Sequence, residues 1–377
     1  MAEVSERARA WLTGAALPYW SAHGQQADGL FYEQVGYDGA PDAGGFRRMR
    51  VQARQLWCLA HARRRGWHAA PGLERGWERF VATCWSPDGR PGWVHRLDPE
   101  GGVIDARRDA YDHAFALFAL AGVHEALGDP RARELADATL AFMDAEMAHP
   151  AGGYVEALPP EPPRRSNPHM HLLEALLAWR AATGDADYLR RADEMVSLFA
   201  ERFLDPETGT LGEYLDEALS PAPGPPGEVR EPGHHFEWTW LLHQAAAAGG
   251  RDERAAAGRL YAWAQAHGLD AEGFAVDECD AAGAQIRTRR RAWPQTERLK
   301  AQVAVGDGDG ARRTARGLLD GYLATDVPGL WIDQFDGEGR PIAPVVPAST
   351  FYHLMLGFDQ LLSHEEPAEV AVGRGRQ

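Results

Sequence analysis

Two kinds of helical pattern alternate along this chain. The first is apolar along most of its length, as in RRMRVQARQLWCLAHA, RDAYDHAFALFALAGV, NPHMHLLEALLAWRAA, GHHFEWTWLLHQAAAA, WPQTERLKAQVAV and ASTFYHLMLGFDQLL. The second is more charged and carries one apolar stripe, as in DPRARELADATLAFMDAEM and DADYLRRADEMVSLFAERF. Between them a short motif recurs: a glycine, two or three apolar residues, an acid or polar group, then a turn. It begins at Gly29, Gly92, Gly152, Gly209, Gly273 and Gly329, and each copy predicts a strand with a hairpin turn.

Six helix pairs with one hairpin each, repeating at a period of about 60 residues, predict an all-α (α/α)6 barrel. Inner helices would ring an axis, with the hairpins at the active end. An open solenoid has the same period. Closure is the expectation because the inner helices are apolar along most of their length and gather their polar groups near their starts. The barrel is expected to span residues 1–364 as one catalytic domain, with a polar tail at 365–377. The proline-rich stretch 219–232 falls inside the period and reads as a loop, not a linker.

Composition narrows the function. A net charge of -16 argues against nucleic acid or an anionic membrane as partner. No apolar run approaches the ~20 residues a membrane span needs. The acidic N-terminus lacks the apolar core of a signal peptide. Cys58, Cys84 and Cys279 have no CxxC spacing and suit a reduced compartment, so a cytoplasmic protein is expected. Lys300 is the only lysine, which confines any Schiff-base chemistry to one position. The sequence is compatible with a homodimer.

The candidate chemistry lies at the helix starts. Arg54, His113, His171, His234 with Glu237, Glu297 and His353 bring ionisable groups from every repeat to a similar level of the barrel. Burying so many without a ligand is costly. Trp57, Trp238, Trp293, Trp331, Phe115, Tyr111 and Tyr352 would line such a pocket, and aromatic faces ringed by polar donors suit a sugar. In PGHHFEWTW, His234 and Glu237 are three apart on one helix face: a catalytic pair, half a metal site, or a decorated helix start. There is no HExxH, and the histidines of HMH (169–171) face apart, so neither metal nor cofactor is expected.

RMRVQARQLW, NPHMHLLEALLAW, PGHHFEWTWLL, RAWPQTERL and ASTFYHLML, in this order, resemble the N-acylglucosamine 2-epimerase superfamily from about residue 15 to 363. The resemblance implies the (α/α)6 fold and a sugar isomerase or epimerase. It implies that His234 and His353 are the acid/base pair and that Arg54 binds sugar hydroxyls. It places His171, Glu237, Glu297 and His113 at site positions, with Glu237 fixing the His234 tautomer. His235 and His169 match no catalytic position and read as structural or rim residues. Trp293 and Trp57 are expected against the sugar. The C-terminal hairpin segment looks most like mannose isomerases, so D-mannose (or a D-lyxose-like aldose) and D-fructose are the expected pair, through a cis-enediol. A 2-epimerase acting on N-acetylglucosamine or cellobiose is the alternative. More remote are an (α/α)6 glycoside hydrolase using Glu237 and Glu297, and a glycan-binding protein. A phosphosugar is not expected, because no basic cluster beyond RTRRR (287–291) joins Arg54.

Overall fold

The computed structural model describes residues 2–365. Six inner helices, Met49–Arg64, Ala110–Leu127, Asn167–Thr183, Pro232–Ala247, Ala292–Val305 and Phe351–Glu365, stand side by side around an axis. Phe351–Glu365 returns onto Met49–Arg64, so the ring closes. Outside them lie Ala2–Trp11 with its continuation to His23, then Leu73–Cys84, Pro130–Phe142, Ala186–Leu198, Arg254–His267 and Gly308–Gly317. This is the expected (α/α)6 barrel, closed and not a solenoid. The expected tail falls outside the described residues from position 366 onward. Among the described residues, no helix is long and apolar enough to cross a membrane.

The two helix patterns follow from their surroundings. An outer helix buries one stripe, as Leu73, Trp77, Phe80 and Cys84 do, and leaves its other face to water. An inner helix is enclosed on every side, so Ala110–Leu127 is buried almost continuously from Ala110 to Val123.

The hairpins tie neighbouring repeats together. Arg47–Arg48 pairs with Arg96–Leu97, Arg108–Asp109 with Ala157–Leu158, and Arg164–Arg165 with Tyr214–Leu215, all antiparallel. Gln34–Val35 pairs with Val346–Pro347, which joins the first repeat to the last. The six motif glycines all have φ between 70° and 107°, where a side chain would be strained.

Each of five hairpins is also latched from behind by a buried inner-helix side chain. The Trp93, Tyr154 and Leu211 amides donate to Nε2 of His113, His169 and His235 at 3.0–3.1 Å. The Phe31 and Ala275 amides donate to Gln52 and Gln295 in the same way. In the three histidines Nδ1 donates to the carbonyl four residues earlier. Burial pushes all three imidazoles down to about 4, so they are neutral struts. Five residues before each latch stands a buried arginine: Arg47, Arg108, Arg164, Arg230 or Arg290. The first four donate to backbone carbonyls of the segments between helices, and Arg290 pairs with Asp270 at 2.6 Å.

Candidate active site

Two residues on from a latch, a helix presents roughly its opposite side. The residues at that offset are Arg54, Phe115, His171, Glu237, Glu297 and, in the sixth repeat, His353. His113 therefore does not belong to the axial ring. It is a latch, and Phe115 holds the axial place, with the Arg54 guanidinium over its ring at 4.0 Å. Around the axis opens a cavity of about 310 Å³ lined by Arg54, Tyr111, His171, His234, Glu237, Trp293 and His353, among others. Arg54 donates to the Tyr111 hydroxyl at 2.6 Å and to the Ser349 carbonyl at 3.1 Å.

His234 and His353 flank Trp293, whose ring centroid is 5.1 Å from the first and 5.7 Å from the second. Their surroundings are opposite. Nδ1 of His234 donates to Glu213 at 2.9 Å, and Glu231 lies 3.9 Å away. Burial disfavours charge here, but Glu213 and then Glu231 override it and lift this histidine to about 10. His234 is an imidazolium. Its Nε2 faces the Asn167 amide at 3.1 Å, and the Asn167 carbonyl oxygen is buried and otherwise unpartnered. Turning that amide over lets the oxygen accept from the imidazolium.

His353 is neutral. Burial, followed by the positive charges of Arg54 and Lys300, drives it well below the ordinary histidine range. Its Nδ1 donates to Glu297 at 2.7 Å, which leaves Nε2 with the free lone pair.

Beneath the histidines, Glu174, Glu237 and Glu297 share one buried cation, Lys300, which is 2.5 Å from Glu297 and 3.9 Å from Glu237. One positive charge cannot balance three buried carboxylates. Glu174 is tied to His171 at 3.0 Å and to the Tyr352 hydroxyl at 2.7 Å, and stays ionised below its ordinary value. Glu237 has no hydrogen-bond partner on either oxygen. Burial and the neighbouring Glu297 hold it well above the carboxylate range, so it is the protonated member. A neutral carboxylic acid facing the cavity can both donate to and accept from a sugar hydroxyl.

Several expected placements change. Glu237 does not orient His234; Glu213 does, because the hairpin brings it to Nδ1 while Glu237 points to the floor. Glu297 lies behind His353 as its orienter, fully buried and outside the cavity lining. Trp57 stacks between His61 and Phe118, against a separate cavity toward the other ends of the inner helices. Trp238 and Trp331 are core, stacked on Phe199 and Trp20. Arg54, His171, His234, His353, Glu237 and Trp293 do converge. Glu213 was missed, although it is the acid of the fourth motif copy, GTLGEYLDEA.

Three groupings bring one histidine and two carboxylates within 4.8 Å: His171 with Glu174 and Glu237, His234 with Glu213 and Glu231, and His353 with Glu237 and Glu297. In each, one carboxylate already takes the histidine Nδ1, the arrangement an acid/base imidazole requires.

The model of the N-acylglucosamine 2-epimerase (GlcNAc 2-epimerase) family matches residues 29–357. The chain is 36% identical over 370 residues to a mannose-6-phosphate isomerase of Rhizobium meliloti (strain 1021), covering 93% of this chain and 95% of that one. It is 30% identical over 280 residues to a D-mannose isomerase of Thermobifida fusca, covering 66% and 68%. Its fold superposes on the cellobiose 2-epimerase of Spirochaeta thermophila DSM 6192 with a TM-score of 0.86, at 22% identity over 96% of each chain. With the closed barrel and the histidine pair of its axial cavity, the chain belongs to the N-acylglucosamine 2-epimerase family.

Proposed function

We propose that this protein is an aldose–ketose isomerase that interconverts D-mannose, or a D-lyxose-like aldose, with D-fructose through a cis-enediol. One observation carries the reading: two buried histidines flank one tryptophan in opposite protonation states. The C2 proton of an open-chain aldose needs a neutral base, and Nε2 of His353 supplies it. The carbonyl oxygen needs an acid as charge develops, and the His234 imidazolium supplies it. His353 then delivers its proton to C1 on the same face, while His234 takes the proton of the C2 hydroxyl and is restored. Arg54 steadies the enediol oxygens, and the protonated Glu237 binds a hydroxyl beside them.

A 2-epimerase could use the same charge states, with His353 removing the C2 proton and His234 returning one from the opposite face. The two relatives described above, 36% and 30% identical to this chain, are both named isomerases, which supports the first reading. A glycosidase is disfavoured because Glu297 is locked between Lys300 and His353, away from the cavity wall. Incubation with D-mannose, N-acetylglucosamine and cellobiose, followed by NMR of the products, tests the assignment; ketose from mannose supports it, and a C2 epimer as the first product contradicts it.

A further inference from the structure

Three residues on from the axial ring, one helical turn deeper, a second layer crosses the barrel: Trp57, Phe118, Glu174, Trp240, Lys300 and Leu356. All but Lys300 line the separate cavity toward the other ends of the inner helices, which has a volume of about 240 Å³. None of the six lines the cavity that holds the two histidines. The layer thus separates the two spaces, and Glu174 is its one charged member on the rear wall.

Charges around the rear cavity cancel except at Glu174. Arg64 lies 3.6 Å from Glu125, and Arg65 lies 3.0 Å from Asp359. His61, 3.2 Å from Asp359, is kept below the ordinary histidine range by burial and is neutral. Lys300 also steadies Glu174, but it is held by Glu297 at 2.5 Å and balances that carboxylate. Glu174 is 3% exposed and receives only neutral hydrogen bonds, from His171 and Tyr352, both to Oε2. Its Oε1 is buried with no hydrogen-bond partner. A buried carboxylate short of a counter-ion and of a donor is costly unless a ligand supplies both.

We propose that the rear cavity is a second binding site, for a small organic cation: a primary ammonium joined by a short arm to an aromatic or apolar body. The ammonium donates to Oε1 of Glu174 and supplies the missing charge. The body packs against Trp57, Phe118, Trp240 and Leu356. A cavity of about 150 Å³ already takes a benzene ring, so this one has room for a ring and its arm. The rim is open to solvent at Glu125 and Ala181, which gives a way in. Glu174 also holds Nδ1 of His171 in the front cavity, so one side chain touches both sites.

The full chain, without sugar, is titrated calorimetrically at neutral pH with phenethylammonium and with its uncharged analogue phenethyl alcohol. The native protein is expected to bind the ammonium at one site, at least about tenfold more tightly than the alcohol, the scale of one charge-assisted hydrogen bond. Glu174→Gln removes the unbalanced charge and is expected to bring the two probes to equal affinity. Ala178→Phe and Ala181→Phe place a ring in the cavity; each, checked for an unchanged melting curve, is expected to abolish binding of both probes. Equal affinity in the native protein, or no binding at millimolar concentration, overturns the proposal. So does a preference that survives Glu174→Gln, or ammonium binding that survives both filled variants, which would place the cation elsewhere. No sugar enters the titration, so its result stands whichever reaction the front cavity performs.

Discussion

Glu213 and His234 are joined at 2.9 Å across a hairpin and a helix start, and the pair exists because the fourth repeat breaks a rule kept by three others. In those, the motif acid meets an arginine six residues before the axial residue: Glu33 with Arg48, Glu156 with Arg165, and Asp277 with Arg291. The fourth repeat has Glu231 at that place. Glu231 is held at 3.3 Å by Arg291 of the next repeat, whereas Glu213 is left without the arginine its counterparts have, and His234 becomes its counter-ion.

Glu213→Gln is therefore expected to lower the His234 pKa from about 10 toward the ordinary 6.5. A raised histidine stabilises the fold fully below about 6.5, and the contribution disappears as pH rises through about 10. The alkaline limb of kcat/KM should move to lower pH in the variant, with kcat at neutral pH down about 10²-fold. An unmoved limb would show that Glu213 does not set the charge.

The latches make a contrasting prediction for a histidine adjacent in sequence. Glutamine already does the work of His235 in two repeats, at Gln52 and Gln295. His235→Gln should keep both melting temperature and turnover. His235→Ala should cost about 1–3 kcal/mol, by leaving the Leu211 amide buried without an acceptor, while kcat stays close to native. Loss of turnover in the glutamine variant at unchanged stability would move His235 into the chemistry.

This contrast also marks what the sequence could show. The period exposed the barrel, and the helix starts exposed Arg54, His171, His234 and His353. One ionisable group per repeat could not separate a latch from an axial residue, because the two lie only two positions apart; His113 and Phe115 show the difference. Nor could helix spacing reveal that His234 looks outward to its hairpin acid, since that contact joins residues 21 apart across a turn. Trp57 and Trp293 both belong to inner-helix stretches, and only the packing decides which meets the cavity.

Lys300 offers a third test, by stability. It is fully buried between Glu297 and the face of Trp240, 4.0 Å from the ring centroid. Lys300→Met should destabilise the fold by about 3–5 kcal/mol at pH 8, because a carboxylate is left without its cation. The deficit should shrink toward pH 5, as Glu297 takes up a proton. A deficit independent of pH would mean that the lysine acts through packing alone.

Chelation gives a fourth. Every histidine in the three histidine–carboxylate groupings already holds a carboxylate on Nδ1, so EDTA-treated protein should retain its turnover without added metal. Loss of activity that zinc or manganese restores would assign one grouping to an ion.

The central claim is that neutral His353 carries a proton from C2 to C1 while His234 works on the oxygens. It is tested most directly by following D-mannose in D2O by NMR with native protein, His353→Ala and His234→Ala. The native enzyme should form D-fructose first, with only partial deuterium at C1, since His353 is 6% exposed and exchanges its proton slowly with solvent. Each variant should lose about 10²–10⁴-fold in turnover while remaining folded. A C2 epimer at early times, or native-like turnover in His353→Ala, would contradict it.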